Sequence, residues 1–198
     1  MNFMYEVGEL KLTPMNQNVY RMRSKISEKE HESNPHRYEK WMLDQDVTEH
    51  NSHGLFKKSK QEIESWLDEC ENSKSSIHFA IYKSDEWIGM VSLQKIDYIN
   101  SSAEIAIYIG EKKYWGRGYA KVAVKTAVKH AVLKLCLRRV WSGTAETNIG
   151  MQKVFDSLKF KHEGTFKHAM YLDGLFVDVY AYGYVHSFLN SVWLSDES

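Results

Sequence analysis

The stretch best equipped for chemistry runs from Ile105 to Ala120, Ile-Ala-Ile-Tyr-Ile-Gly-Glu-Lys-Lys-Tyr-Trp-Gly-Arg-Gly-Tyr-Ala. An apolar run meets a segment holding Gly116 and Gly118, and a long helical pattern follows directly. Glycines let the backbone turn so that successive N–H groups face one concavity. A helix start adds N–H donors without intrahelical partners and a partial positive charge. Together they suit a pyrophosphate. A dinucleotide-binding GxGxxG needs glycine at position 121, which is Lys121, and no GxxxxGK[ST] occurs. A plain turn joining strand to helix is the competing reading of this segment alone.

His50-x-x-His53 is a second spacing with chemical meaning. A histidine pair can ligate metal or take a proton near neutral pH. No further ligands cluster with this pair in sequence, so no metal is expected. Cys70 and Cys136 lie in separate apolar-periodic segments without a CxxC, which predicts a reduced, cytoplasmic protein.

Periodicity supplies the elements that must position these residues. A short strand is expected at Leu10–Thr13, then helices at Met15–Ser27 and Pro35–Asp44, a loop at His50–Lys58 and a helix at Ser59–Glu71 capped by Ser59. Ile77–Tyr82 and Trp87–Leu93 read as a hairpin, and Ala103–Ile109 as the next strand. Ala120–Leu137 reads as a helix, Arg138–Thr144 as a strand and Asn148–Leu158 as a helix. Thr165–Leu172 and Phe176–Tyr182 close a hairpin about Asp173-Gly174, a type I′ signal. The order describes a mixed α/β protein built on one sheet.

The 198 residues suffice for one domain and are short for two. Lys plus Arg and Asp plus Glu number 26 each, which gives no global field to collect nucleic acid or anionic membrane. The N-terminus has no signal-peptide pattern and no run reaches the ~20 apolar residues that span a bilayer.

Several segments together carry a family resemblance. Trp115-Gly-Arg-Gly-Tyr-Ala120 matches the second half of the acyl-CoA loop [QR]xxGx[GA], through Gly118 and Ala120, with Trp115 where Gln or Arg is usual. Asn148 opening a helix that ends near Phe160 resembles a second signature, with Lys159 in place of glycine. Trp41-Met-Leu-Asp44 with Val47, and Glu163-Gly164, Asp173-Gly174 and Asp178, resemble the branch containing ribosomal-protein, polyamine and nucleotide-amino-sugar acetyltransferases. Over residues 8 to 184 the chain resembles the GNAT superfamily of N-acetyltransferases.

That resemblance implies a GNAT fold: a central, mostly antiparallel sheet with a splayed parallel strand pair, flanked by helices. It implies one acetyltransferase domain over residues 1–198 and acetyl-CoA as acetyl donor. Ile107, Tyr108 and Ile109 would meet the pantetheine arm, largely through backbone groups as in an added strand. Trp115, Gly116, Arg117, Gly118, Tyr119 and Ala120 would cradle the pyrophosphate, with Lys121 beside them. Asn148 would bond the pantetheine arm or simply cap its helix. Phe155 occupies the place of the family's usual tyrosine acid and would pack against the thioester end without donating. Glu104, on the cofactor strand, is the first candidate base, and His50 and His53, near the acceptor, are the second.

The amine acceptor is expected to be a small molecule or a peptide. A nucleotide-linked amino sugar ranks first, because Tyr38, Trp41 and Phe56 suit a sugar face. A protein N-terminus and then a polyamine follow. A non-catalytic acyl-CoA-binding module is the reading outside enzymes. The resemblance also allows a homodimer.

Overall fold

The computed structural model describes residues 4–16, 19, 34–50 and 60–187. In chain order the elements are β1 (Tyr5–Val7), β2 (Leu10–Pro14), α1 (Asn34–Leu43), α2 (Gln45–Thr48), α3 (Lys60–Asn72), β3 (Ile77–Lys83), β4 (Glu86–Asp97) and β5 (Ser102–Ile109). A short 3₁₀ turn at Lys112–Tyr114 leads to α4 (Tyr119–Leu133), β6 (Arg139–Ala145), α5 (Ile149–Ser157), β7 (Lys161–Leu172) and β8 (Leu175–Val185). The eight described strands form one sheet in the order β1-β2-β3-β4-β5-β6-β8-β7. Every neighbouring pair is antiparallel except β5 and β6. The mixed α/β architecture implied by the sequence is the one observed.

Strand alternation sends side chains to two cores. On one face, Ala123, Val124, Ala127, Val128 and Ala131 of α4 pack on Val91, Leu93, Ala103 and Ile105, and α5 adds Phe155. The alanines keep this helix close to the sheet. On the other face, Tyr38 and Trp41 of α1 and Ile63 and Leu67 of α3 pack on Ala80, Trp87 and Met90. Tyr38 stacks with Trp66 at 5.4 Å and Trp87 at 6.4 Å between ring centres. The middle strands are therefore covered on both faces.

Several expected boundaries move. β1 was not predicted; it pairs with β2 across a turn at Gly8. The short α2 was also missed; the Asp44 side chain caps it, accepting from the Asp46 N–H at 3.0 Å. Leu135 and Leu137 extend the apolar stripe of α4, but the helix stops at Leu133. The chain turns through Cys136 at φ 54°, and the Leu137 N–H closes onto the Ala131 carbonyl. The last hairpin is longer than read and carries two irregularities in β7. Its turn has positive φ at both Asp173 and Gly174, as a type I′ turn requires. The expected helix at Met15–Ser27 and the Ser59 cap fall almost wholly outside the described residues. No described helix is long and apolar enough to cross a membrane. Cys70 is buried and Cys136 exposed, and neither is in a disulfide.

Candidate functional site

The parallel pair is short. β5 and β6 meet only at Ser102–Arg139, Ala103–Val140 and Glu104–Trp141. Beyond these rungs β5 continues to Ile109 and β6 to Ala145 without pairing to each other. β4 still holds β5, and β8 still holds β6, along this length. A gap thus opens inside a continuous sheet. At its closed end the buried Ser142 hydroxyl donates to the Ile105 carbonyl at 2.8 Å. Backbone groups of Ile107 and Ile109 lie further out along the same gap. An extended ligand could pair there as a strand would.

The gap opens towards the glycine loop. The Gly110 and Glu111 N–H groups donate to the Ile88 carbonyl, anchoring the exit from β5. Gly116 and Gly118 have φ of 70° and 80°, a region L side chains avoid. The first bond within α4 runs from the Val122 N–H to the Gly118 carbonyl. The N–H groups of Tyr119, Ala120 and Lys121 precede it and form the helix's donor end. Residues 115 to 118 are exposed, as are Lys121 and the loop's approach. The Tyr119 hydroxyl instead donates to Glu9 at 2.9 Å, tying α4 to the β1–β2 turn.

Trp115 departs from the family pattern, and its donor has a use. Its indole N–H donates to the Ile109 carbonyl at 2.7 Å, stitching the loop to the end of β5. A second anchor is a buried charge cluster. Glu86, at the start of β4, accepts from Arg37 of α1 at 2.7 Å, Lys113 at 2.9 Å and the Tyr114 hydroxyl at 2.6 Å. Burial pushes the Glu86 carboxyl upward, but the bonds from Tyr114, Lys113 and Arg37 outweigh it and hold the pKa below the ordinary value. Burial, then the bond to Glu86, pushes the Tyr114 hydroxyl up to about 12. The Trp41 indole donates to Glu111 at 3.0 Å, and its ring covers Gly110 so closely that a Cβ there would collide.

The candidate bases are far apart. Glu104 bonds Lys95 at 2.8 Å, level with Trp141 at the closed end of the gap. Ala103 and Ile105 point into the α4 core, so Glu104 faces the opposite side. The His50 Nδ1 meets the Thr147 hydroxyl at 3.2 Å, beyond the open end of β6. At ~3.3 Å per strand residue the two groups lie roughly 15–20 Å apart. They cannot serve one amine together. His53 lies outside the described residues. Among the described residues no three potential metal-ligating side chains cluster.

Other predicted residues have local roles. Asn148 caps α5, its side-chain oxygen accepting from the Met151 N–H at 3.0 Å, which leaves its amide N–H₂ for a ligand. Phe155 is 1% exposed, stacked on Tyr182 at 5.1 Å and tilted against Phe160. Tyr108 faces α1, edge-on to Trp41, and its buried hydroxyl has no hydrogen-bond partner among the described residues. Burial holds the Tyr108 pKa well above the ordinary phenol value. Asp178 accepts from Lys167 at 2.6 Å and from the His168 N–H, and its own N–H meets Glu146, so it braces the β7 irregularity. Glu163 takes a bidentate pair from Arg139. Sequence reasoning missed Glu86, Arg37, Ser142 and Thr147. They come from separate segments, and no spacing within one segment marks them.

Two aromatic residues behind the sugar expectation are core residues. Tyr38 is 6% exposed and Trp41 2% exposed, so neither offers a face to a sugar ring. Phe56 lies outside the described residues.

A strand pair that splays into a glycine loop at a helix start is the arrangement of the GNAT acetyltransferases. Residues 28–161 match the family model for the acetyltransferase (GNAT) domain, and the chain belongs to that family. Among its relatives is the uncharacterized N-acetyltransferase p20 of Bacillus licheniformis, 29% identical over 112 residues, covering 57% of this chain and 62% of that protein. Another is the ribosomal-protein-serine acetyltransferase of Escherichia coli, 31% identical over 104 residues, 52% of this chain and 58% of that protein. The alignments therefore span under two thirds of both relatives. In fold, the chain is similar to the spermidine N-acetyltransferase of Vibrio cholerae, whose crystal structure holds CoA and spermine. The TM-score is 0.74 at 18% identity, over 90% of this chain and 96% of that one. The acceptors these names carry are a ribosomal protein and a polyamine. The expected amino sugar has support neither here nor in the buried aromatics.

Proposed function

We propose that the protein transfers an acetyl group from acetyl-CoA to a primary amine by direct attack. The observation that carries this reading is the gap between β5 and β6, closed at one end by Ser142 and opening onto the Gly116–Gly118 loop. The Trp115 N–H donates to the Lys112 carbonyl at 3.0 Å, so backbone N–H groups of residues 116 to 120 hold the donor's pyrophosphate, with Arg117 and Lys121 beside it. The pantetheine arm lies along Ile107 and Ile109 and meets the Asn148 amide. Because the Ile109 carbonyl already accepts from Trp115, the Ile107 backbone and the Ile109 N–H carry the strand-like pairing. Phe155 encloses the site from the core and donates nothing. A thiol leaving group of pKa ~8.5 departs without an acid.

The amine nitrogen attacks the thioester carbon, the C–S bond breaks, and the amine's surplus proton passes to a base. Five residues of β5, about 16 Å, separate the loop from the closed end of the gap. A pantetheine arm stretched along that length brings the thioester to the neighbourhood of Glu104. This favours Glu104 over His50 as the base. The Lys95 ammonium at 2.8 Å occupies the position that an incoming ammonium would take. Lys95 is 69% exposed in its side chain, so this pairing is weak and exchangeable.

The acceptor favoured is the amine of a peptide or protein. A polyamine wants a cluster of uncommitted carboxylates beyond the base itself. Of those described near the site, Lys112 takes Asp44 and Asp46 at 2.8 and 2.7 Å, and Trp41 takes Glu111. The test is release of CoA thiol from acetyl-CoA over peptides with free N-termini, spermidine and nucleotide-linked amino sugars. Release with peptides above the others is expected. Turnover of spermidine alone would reassign the acceptor. Acetyl-CoA binding with no release to any amine would leave an acyl-CoA-binding module. Gly118→Pro, which forbids φ 80°, should abolish acetyl-CoA binding in a folded protein.

A further inference from the structure

We infer that Glu86 is a positioning residue for the acetyl-CoA loop: from the β3–β4 hairpin it fixes Lys113 and Tyr114 just ahead of the phosphate cradle and ties them, through Arg37, to helix α1. The inference rests on the reading of residues 116 to 120 as the donor's phosphate site.

The loop needs such an anchor. Gly116 and Gly118 carry no side chain, and glycine loses the most backbone freedom when a conformation is fixed. A cradle of backbone N–H groups binds well only if it is ordered before the ligand arrives. In this chain the indole and backbone N–H groups of Trp115 are both engaged within the protein, on the Ile109 and Lys112 carbonyls, so the backbone of the glycine loop has a larger share of the work. Glu86 supplies rigid support from below. Its carboxylate is 9% exposed, and one oxygen accepts from both Arg37 and Lys113 while the other accepts from Tyr114. Arg37, 8% exposed in its side chain, also donates to the Trp87 carbonyl and lies 3.5 Å from Glu111. Arg37 thus lies beside Glu111, just ahead of the 3₁₀ turn, and is linked to Lys113 and Tyr114 through Glu86. Glu86 is buried between two cations and a hydroxyl, far in sequence from all of them. A residue needed only to close a two-residue turn would not require this.

The connection to α1 adds a second consequence. Trp41, one turn along the same helix, holds Glu111 and covers Gly110. α1 therefore grips the loop at Glu111 directly and at Lys113 and Tyr114 through Glu86. Displacement of α1 on the acceptor face would be felt in the donor loop.

The experiment compares wild type with Glu86→Gln, Tyr114→Phe and Lys113→Met, measuring acetyl-CoA affinity by titration calorimetry, kcat at saturating donor, and Tm. Glu86→Gln should weaken acetyl-CoA binding about tenfold and Tyr114→Phe about threefold, with kcat within twofold of wild type. The effect of Tyr114→Phe should shrink when Glu86→Gln is already present. If Glu86→Gln does not fold, Tyr114→Phe and Lys113→Met carry the test, because both leave the Arg37–Glu86 pair intact. Variants that lose Tm but bind acetyl-CoA with wild-type affinity would overturn the inference and leave Glu86 a stability residue. Gly118→Pro is measured alongside. Were it to bind normally while folded, the phosphate-site reading would fail instead. Loss of binding in Gly118→Pro with none in the Glu86 set sinks only the inference.

Discussion

Glu104 and His50 were rival bases in the sequence because nothing in it measures the distance between them. The structure separates them by most of the length of β6. Glu104→Gln keeps the shape and removes the charge. It should lower kcat/KM by roughly 10² while leaving acetyl-CoA affinity unchanged. His50→Asn should change kcat/KM by less than threefold, and the reverse pattern in steady-state kinetics would move the base to the open end. Trp115 shows what residue types alone conceal. In the sequence it stands only as a tryptophan where Gln or Arg is usual, whereas its indole N–H is spent on the Ile109 carbonyl. Trp115→Phe keeps the ring and deletes that bond, so acetyl-CoA affinity should fall by about threefold to tenfold, as expected for one hydrogen bond worth ~1 kcal/mol. Titration calorimetry on that variant decides the point. Equal affinity would make the indole bond ornamental.

Among the elements, those with long, clean periodicity were legible. β3, β4, β5, β6 and α4 fall within a few residues of their expected places, and the Asp173–Gly174 turn has the conformation its residues demand. The misses have physical causes. β1 is three residues long, too short for alternation to register, and α2 depends on one Asp44 cap. β4 runs past Leu93 because a kink at Lys95, φ 48°, lets it bend and continue. α4 ends early because Cys136 adopts a left-handed turn that no glycine announces. The candidate site was legible in conformation where it is local, as in the positive φ of Gly116 and Gly118 and the Asn148 cap. It was illegible where distant chain segments meet, as at Glu86. The β5–β6 gap combines both, since the resemblance implied a splay but not its closure by Ser142. Ser142→Ala would strand the buried Ile105 carbonyl. An unsatisfied buried group costs about 1–3 kcal/mol, which for a chain of this size lowers Tm by roughly 3–10 °C. A thermal melt of the apoprotein within 1 °C of wild type would mean that water replaces the hydroxyl.

At the scale of the whole molecule, two buried histidines set an acid limit. Burial pushes His78 down to about 4, and burial with nearby Lys134 does the same to His130. Both are neutral in the fold and titrate near 6.5 when unfolded. The unfolded chain binds more protons below pH 6.5, so their stabilising contribution is complete above that value and is lost as pH falls towards 4. The loss is on the order of 2–3 kcal/mol for each histidine. Tm should therefore drop steadily between pH 6.5 and 4.5. His130→Gln preserves an acceptor for the Tyr5 hydroxyl, which now meets the ring at 2.6 Å, and should flatten part of that slope. A wild-type Tm independent of pH over this range would contradict the assignment. The three-rung junction of β5 and β6 has a larger consequence. It divides one sheet into two leaves, β1 to β5 and β6 to β8, joined along a narrow spine. Leaves so joined should breathe about the spine, and amide protons beside it should exchange early in a hydrogen-exchange measurement. A donor laced between the leaves would damp that breathing on both at once, slowing exchange even in β8, which the gap does not touch.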